Sequence, residues 1–221
     1  MSEILSEIAA LVERGKLDAA SKYPRDLIGQ PGVKEKVQEA LDSGIPAQQI
    51  LNEALTIGMR SLGKKFSNGE VFVPEVLLSA KAMNAGVDIL KPLLATGEND
   101  ARGVLVIGTV QGDIHDIGKN LVKMLVEGSG WKVVDLGTNV APEAFVEAVK
   151  NNNAAAVGLS ALLTTTMEGM RATVKALRDA GLTVPVLVGG APLTDSFAKE
   201  IGAIYGKDPS EAVDYLDKLA A

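Results

Sequence analysis

The 221 residues, 47% of them hydrophobic and 4% aromatic, suffice for one large domain or two modest ones with ordinary buried cores. A formal net charge of −6 argues against a general nucleic-acid binder or a basic membrane-surface protein. The lack of cysteine excludes disulfides, thiolate zinc sites, iron–sulfur clusters and cysteine nucleophiles. Met1-Ser2-Glu3-Ile4 shows no basic region followed by an apolar signal core. The most apolar later stretch, Ala154 to Leu163, is far shorter than the roughly 20 residues that span a bilayer. A cytoplasmic location is expected.

Residues 1–91 carry helical spacing and read as a helical bundle. Ile4, Leu5, Ile8, Leu11 and Val12 lie on one helix face, and Ile50, Leu51, Ala54, Leu55, Gly58 and Leu62 repeat the pattern. Pro46 suits the first turn of a third major helix, and Ser67-Asn68-Gly69 a turn after the segment that follows it. Pro74 can open a helix running to about Leu90. Residues 92–102, with Thr96-Gly97-Glu98-Asn99-Asp100 at their centre, break the periodicity and read as a linker.

Over residues 103–221 short apolar runs alternate with amphipathic stretches of helix length. The runs are Val104 to Val110, Lys132 to Leu136, Ala154 to Leu159, Val184 to Val188 and Ala203 to Tyr205. Five buried strands alternating with helices predict a doubly wound, Rossmann-like (flavodoxin-like) parallel five-stranded sheet, so the whole chain is α/β plus all-α. Pro142 with Glu143, and Asp208-Pro209-Ser210-Glu211, are helix-start signals. Residues 96–221 hold 11 basic and 16 acidic groups, so most of the negative charge sits in this half. In such sheets ligands bind at the carboxyl ends of strands where the winding reverses, which directs attention to the loop after the first strand.

That loop reads Gly112-Asp113-Ile114-His115-Asp116-Ile117-Gly118-Lys119-Asn120, and His115 is the single histidine of the chain. Taken alone, such a histidine reads as a surface loop residue, with Asp113 or Asp116 capping the next helix. A zinc site would need three or four protein ligands and finds only nearby carboxylates to add to His115. Asp113 could orient His115 in a Ser-His-Asp triad, but no Gly-x-Ser-x-Gly elbow is present. Asp135 closes the second strand where a ribose-binding acid would stand in a dinucleotide fold. The loop lacks Gly-x-Gly-x-x-Gly, however, and sets carboxylates where pyrophosphate would lie. A metal already held in a macrocycle needs only one axial ligand, and Asp113 could then fix the tautomer through the second ring nitrogen. The residues by themselves leave a tetrapyrrole-type ligand open without selecting it.

Asp113-x-His115-x-x-Gly118 resembles the cobalamin-binding signature of methionine synthase and of the small corrinoid proteins of methyltransferase systems. Two later segments agree with it in order and spacing. One is Gly158-Leu159-Ser160-Ala161-Leu162-Leu163-Thr164-Thr165-Thr166, and the other is Val188-Gly189-Gly190-Ala191-Pro192. Phe72-Val73-Pro74-Glu75-Val76 resembles the cap domain of the same family, so the resemblance spans essentially the whole chain.

The resemblance implies that His115 is the lower axial ligand of cobalt, replacing a dimethylbenzimidazole that moves into a deep pocket. It implies Asp113 as the partner of the ring, with Thr166, where methionine synthase has serine, ending the relay. Ser160 and Thr164 would contact the detached nucleotide tail, and Gly118, Gly189 and Gly190 would let that tail approach the backbone. Gly112, Asp116 and Leu162 complete the cofactor-binding set. Without the resemblance, Ser160, Thr164 and Thr166 read as strand-end and capping polarity, Gly189-Gly190 as a turn and Asp135 as a strand-end cap. Phe72, Val76, Leu77 and Met83 read as bundle core.

The function so implied is that of a corrinoid methyl carrier, with the helical half capping a cobalamin held by the α/β half. Its cobalt would accept a methyl group from a donor-specific methyltransferase and pass it to a second methyltransferase acting on an acceptor such as tetrahydrofolate or a thiol. A reductive-activation protein would be a further partner; nucleic acid and membrane would not be. A non-catalytic carrier subunit fits this length better than a complete enzyme. A cobalamin-dependent sensor and a mutase-type subunit are the alternatives, and no basic DNA-reading segment or output domain supports the sensor.

Overall fold

The computed structural model describes residues 2–94 and 102–220; the Thr96 to Asp100 core of the expected linker lies outside the described residues. The apolar stripe noted near the start becomes α1 (Glu3–Glu13), which buries Leu5, Ile8, Leu11 and Val12. At α2 (Val33–Asp42) the Glu35 carboxylate accepts the Gly32 N–H at 2.8 Å, supplying a partner for an amide at the helix start. Helix α3 (Ala47–Ile50) widens into a π-turn over Leu51–Leu55 before continuing as α4 (Thr56–Ser67). The extra residue of the wide turn keeps Ile50, Ala54, Leu55, Met59 and Leu62 all buried. Pro46 precedes α3 in an extended conformation instead of entering its first turn. Glu75 accepts the Phe72 N–H at 3.0 Å at the start of α5 (Val73–Leu94). That helix runs past its expected end near Leu90 and includes Pro92 in its last turn. No helix among the described residues is long and apolar enough to cross a membrane.

The second half alternates strands and helices: β1 (Val104–Thr109), α6 (Ile117–Gly128), β2 (Lys132–Asp135), α7 (Pro142–Asn152), β3 (Ala156–Ser160), α8 (Met167–Asp179), β4 (Val186–Gly189), α9 (Asp195–Glu200), β5 (Ile204–Tyr205) and α10 (Pro209–Leu219). Contacts group the chain into two compact units, Met1–Asp100 with Gly128–Gly130, and Ala101–Glu127 with Trp131–Ala221. All strand pairs are parallel, in the order β2-β1-β3-β4-β5. The central strands are buried almost throughout, as a sheet covered on both faces requires, while β2 and β5 at the edges are partly exposed. Strands β3 and β4 each reach one residue beyond the expected apolar run. Thr109, Ser160 and Gly189 thereby form a paired row at the carboxyl edge. The winding reverses between β1 and β3, so the loops after those two strands share the crevice where such sheets bind ligands. Local signals behave as read: Asp208 accepts the Ser210 N–H at 2.8 Å at the start of α10, and Pro142 is the first residue of α7.

Candidate functional site

Gly112, with φ at +86°, turns the chain off β1, a conformation that residues with a Cβ avoid. Asp113 then lies fully buried beneath the loop. Its Oδ1 accepts the His115 backbone N–H at 3.0 Å and stands 2.7 Å from His115 Nδ1. Its Oδ2 accepts the Leu162 N–H and the Thr166 hydroxyl, each at 2.7 Å. Burial disfavours the charge, but these donors outweigh it, the His115 and Leu162 amides foremost. They hold the Asp113 carboxyl well below the usual carboxylate range. An ionised carboxylate has no proton to give, so Nδ1 of His115 carries the hydrogen facing it, and in the neutral ring this leaves the lone pair on Nε2. The imidazole is about half exposed, with 47% of the side chain accessible, and Asp113 not at all.

The expected Asp113, His115 and Thr166 are thus brought together, and Leu162 joins them through its main chain. Thr166 Oγ1 also lies 2.8 Å from the Leu163 carbonyl, and its one hydrogen can serve only one of the two acceptors at a time. Asp116 is exposed and accepts from Asn120, by its carbonyl from the backbone N–H at 2.8 Å and by Oδ2 from Nδ2 at 3.0 Å. Both contacts serve the start of α6. Thr164 is exposed in a short 3-10 turn that leads into α8.

Two residues that hold the loop were not singled out from the sequence. Thr109, fully buried at the end of β1, donates its hydroxyl to the His115 carbonyl at 2.9 Å. A polar residue closing an apolar strand was its only signal. Asn139, in the loop after β2 with φ at +54°, accepts the Gly112 N–H at 2.8 Å through Oδ1 and donates its own N–H to the Asp113 carbonyl at 2.9 Å. Nothing local marks it, because its partners lie on another strand's loop.

Beside the loop a cavity of about 360 Å³ opens at the carboxyl edge of the sheet, lined among others by Gly118, Lys119, Ser160, Gly189 and Tyr205. A Cβ at Gly118 would meet no protein atom within 4 Å, and one at Gly189 only the Gly206 carbonyl at 3.5 Å. Protein packing therefore does not require glycine at either position. Gly190 differs: a Cβ there would lie 1.8 Å from the Ala161 carbonyl oxygen, so its bare backbone is a structural necessity. Asp135, read as a strand-end cap, does accept the Gly137 N–H at 2.9 Å, but its main partner is Lys119. That ammonium is buried and lies 2.7 and 2.8 Å from the two carboxylate oxygens. Burial works against the Asp135 charge, while Lys119, the Gly137 N–H and Lys123 outweigh it and keep its carboxyl below the ordinary range. In the helical unit, Val76 and Met83 are buried as core, whereas Phe72 and Leu77 are exposed.

Residues 103–214 match a family described as B12 binding domain, and residues 30–91 match a second family of the same description. Dimethylamine corrinoid protein 1 of Methanosarcina acetivorans is 40% identical over 223 residues, covering 99% of this chain and 98% of its own. The chain belongs to the B12-binding family. Trimethylamine corrinoid protein of Methanosarcina barkeri is 41% identical over 185 residues, covering 81% of this chain and 85% of its own. Among solved structures, the methanol:cobalamin methyltransferase complex of Methanosarcina barkeri matches with a TM-score of 0.83 at 28% identity. That match covers 99% of this chain and 80% of the other.

Membership of the B12-binding family makes the cofactor a cobalamin-type corrinoid, and the residues present suit one. The room left by Gly118 and Gly189 at the cavity is the kind of cradle a closely approaching ligand fills. Ile114, Leu162 and Leu163, on the two loops that meet at Asp113, and Ile117 at the start of α6 expose large apolar side chains, a surface a macrocycle can cover. Among the described residues no group of three or more His, Asp or Glu side chains is arranged to hold a bare metal ion. A single imidazole is enough for a metal that arrives in its own ring.

Proposed function

We propose that this B12-binding chain is a corrinoid methyl carrier. It would receive a methyl group from a donor-specific methyltransferase and deliver it to a second one acting on an acceptor such as tetrahydrofolate or a thiol, with a reductive-activation protein as a further partner. The observation that carries the reading is the half-exposed His115 imidazole, its Nδ1 held 2.7 Å from an oxygen of the fully buried Asp113 so that Nε2 is the ring nitrogen outside that contact. The similarity to methylamine corrinoid proteins supports the methyl-carrier role. When bound, the corrinoid supplies a cobalt centre that takes up and releases a methyl group.

The chain's own part is to hold and to tune. His115 offers Nε2 as the axial ligand. Asp113 fixes the ring's tautomer and direction and tunes its strength as a ligand, because an anionic partner on Nδ1 pushes electron density toward Nε2. Thr166 closes the relay on the far carboxylate oxygen. Ser160, Thr164, Gly118, Gly189 and Gly190, with Gly112, Asp116 and Leu162, form the rest of the proposed cofactor set. Ser160, Gly118, Gly189 and Gly190 line the cavity, which we assign to the nucleotide tail.

His115→Ala, loaded in the cobalt(II) state with a corrinoid that lacks the nucleotide base, should lose the axial-nitrogen splitting of the electron paramagnetic resonance spectrum that the native chain shows with the same corrinoid, while keeping its fold by circular dichroism. Retention of that splitting would remove His115 as the ligand. We also propose that residues 1–91 form a cap domain, 92–102 a linker and 103–221 the cobalamin-binding domain. A fragment of residues 103–221, which contains every proposed ligand, should melt cooperatively and take up cobalamin with the axial-nitrogen signature of the full chain. A soluble, folded fragment without that signature would move the domain boundary.

A further inference from the structure

The loop that carries His115 is held from both ends by residues outside it. On the carboxyl side Thr109 donates to the His115 carbonyl at 2.9 Å. On the amino side Asn139 takes the Gly112 N–H on Oδ1 at 2.8 Å and gives its own N–H to the Asp113 carbonyl at 2.9 Å. The two contacts bracket the peptide unit between Gly112 and Asp113, from which the Asp113 side chain departs. Asparagine suits this place on two counts: it tolerates a φ of +54°, and its short amide reaches a neighbouring main chain. The surrounding loop is itself anchored, since Val140 N–H donates to the Thr109 carbonyl at 3.0 Å and Thr109 N–H to the Gly137 carbonyl at 2.9 Å. The latch therefore ties the β2–α7 loop to the end of β1.

We infer that Asn139 is a positioning residue for the axial imidazole: by fixing the Gly112–Asp113 backbone it sets where Asp113 points and so how His115 presents Nε2. The inference rests on the reading of His115 as the cobalt ligand. The hydrogen bonds of Asn139 go to the main chain at Gly112 and Asp113, so it acts through the backbone that carries the imidazole and the carboxylate. Its contribution is that of one solvent-accessible hydrogen bond, which is worth about threefold in an equilibrium constant.

The test uses the full chain. Asn139→Gly keeps the left-handed backbone and the main-chain hydrogen bond but removes the Oδ1 acceptor; Asn139→Asp restores an acceptor. Loaded with cobalamin, Asn139→Gly should weaken the axial bond to cobalt(II) about threefold. If His115 holds cobalt(II) and releases cobalt(I), the cobalt(II)/cobalt(I) midpoint potential should rise by about 28 mV, at about 59 mV per decade for one electron. Without cofactor, exchange of the His115 Nδ1 hydrogen with water, followed by nuclear magnetic resonance on the chain's single imidazole, should quicken by about the same factor. Asn139→Asp should return both readings toward the native values. A native potential and a native exchange rate in Asn139→Gly would overturn the inference. His115→Ala, loaded with a corrinoid that lacks the nucleotide base, separates the two readings: a potential equal to that of the native chain with the same corrinoid would overturn the ligand assignment. A raised potential there, beside native readings in Asn139→Gly, would overturn only the latch.

Discussion

Asp113→Asn is expected to cost the folded chain roughly 2–4 kcal/mol, measured by chemical denaturation without cofactor. The native carboxylate accepts on both oxygens, each facing one backbone N–H, from His115 or from Leu162. The amide that replaces it has one oxygen and one NH2, so either orientation sets a donor against one of those fixed donors. Thr166 can adapt, because its hydroxyl can turn to the Leu163 carbonyl at 2.8 Å and accept instead. A backbone N–H cannot adapt. The same change removes the anion that keeps hydrogen on Nδ1, so the imidazole tautomer should become mixed. A loss below about 1 kcal/mol would mean that the site relaxes around the amide and that Asp113 is less constrained than its four contacts imply.

Gly190→Ala should be at least as damaging, and by a different route. Its Cβ would stand 1.8 Å from the Ala161 carbonyl oxygen, at a φ of +141° that disfavours any side chain. Separating β4 from the loop after β3 to relieve that overlap should destabilise the domain by about 3 kcal/mol or more, or prevent soluble expression. Gly189→Ala is the informative contrast. Its Cβ would enter the cavity with only a 3.5 Å contact to the Gly206 carbonyl, so stability should stay within about 1 kcal/mol of native while cobalamin uptake weakens. Equal stability of the two variants would mean that the backbone at Gly190 yields easily. Native cobalamin affinity in Gly189→Ala would remove that glycine from the cofactor set. The two neighbours share a motif, yet one glycine answers to the protein and the other is free to answer to a ligand.

What the sequence determined by itself follows from short-range physics. The change of apolar period near residue 91 announced helices and then alternating strands, because burial selects a face at 3.6 residues per turn or an unbroken run within a covered parallel sheet. The Asp208 cap and the Pro142 start were legible because a cap and its amides lie within a few residues. The Asp113–His115 pair was legible for the same reason, and its place after β1 follows from the strand order expected of a doubly wound sheet. Thr166 and Leu162 entered only through resemblance, since spacing alone cannot bring residues some 50 positions away onto one carboxylate.

Tertiary structure decided the remainder, through sheet order and register. Pairing β1 between β2 and β3 brings Asn139 onto Gly112 from one side and Thr166 onto Asp113 from the other. Pairing Ser160 with Gly189 draws Gly190 up to the Ala161 carbonyl and turns an apparently ordinary turn glycine into an obligatory one. Burial of Lys119 beside β2 converts Asp135 from a strand-end cap into the counter-charge of an ammonium that has little water to solvate it. Each of these roles depends on which strands lie side by side and at what register. Those are properties of the packed sheet, and no local pattern of residues encodes them.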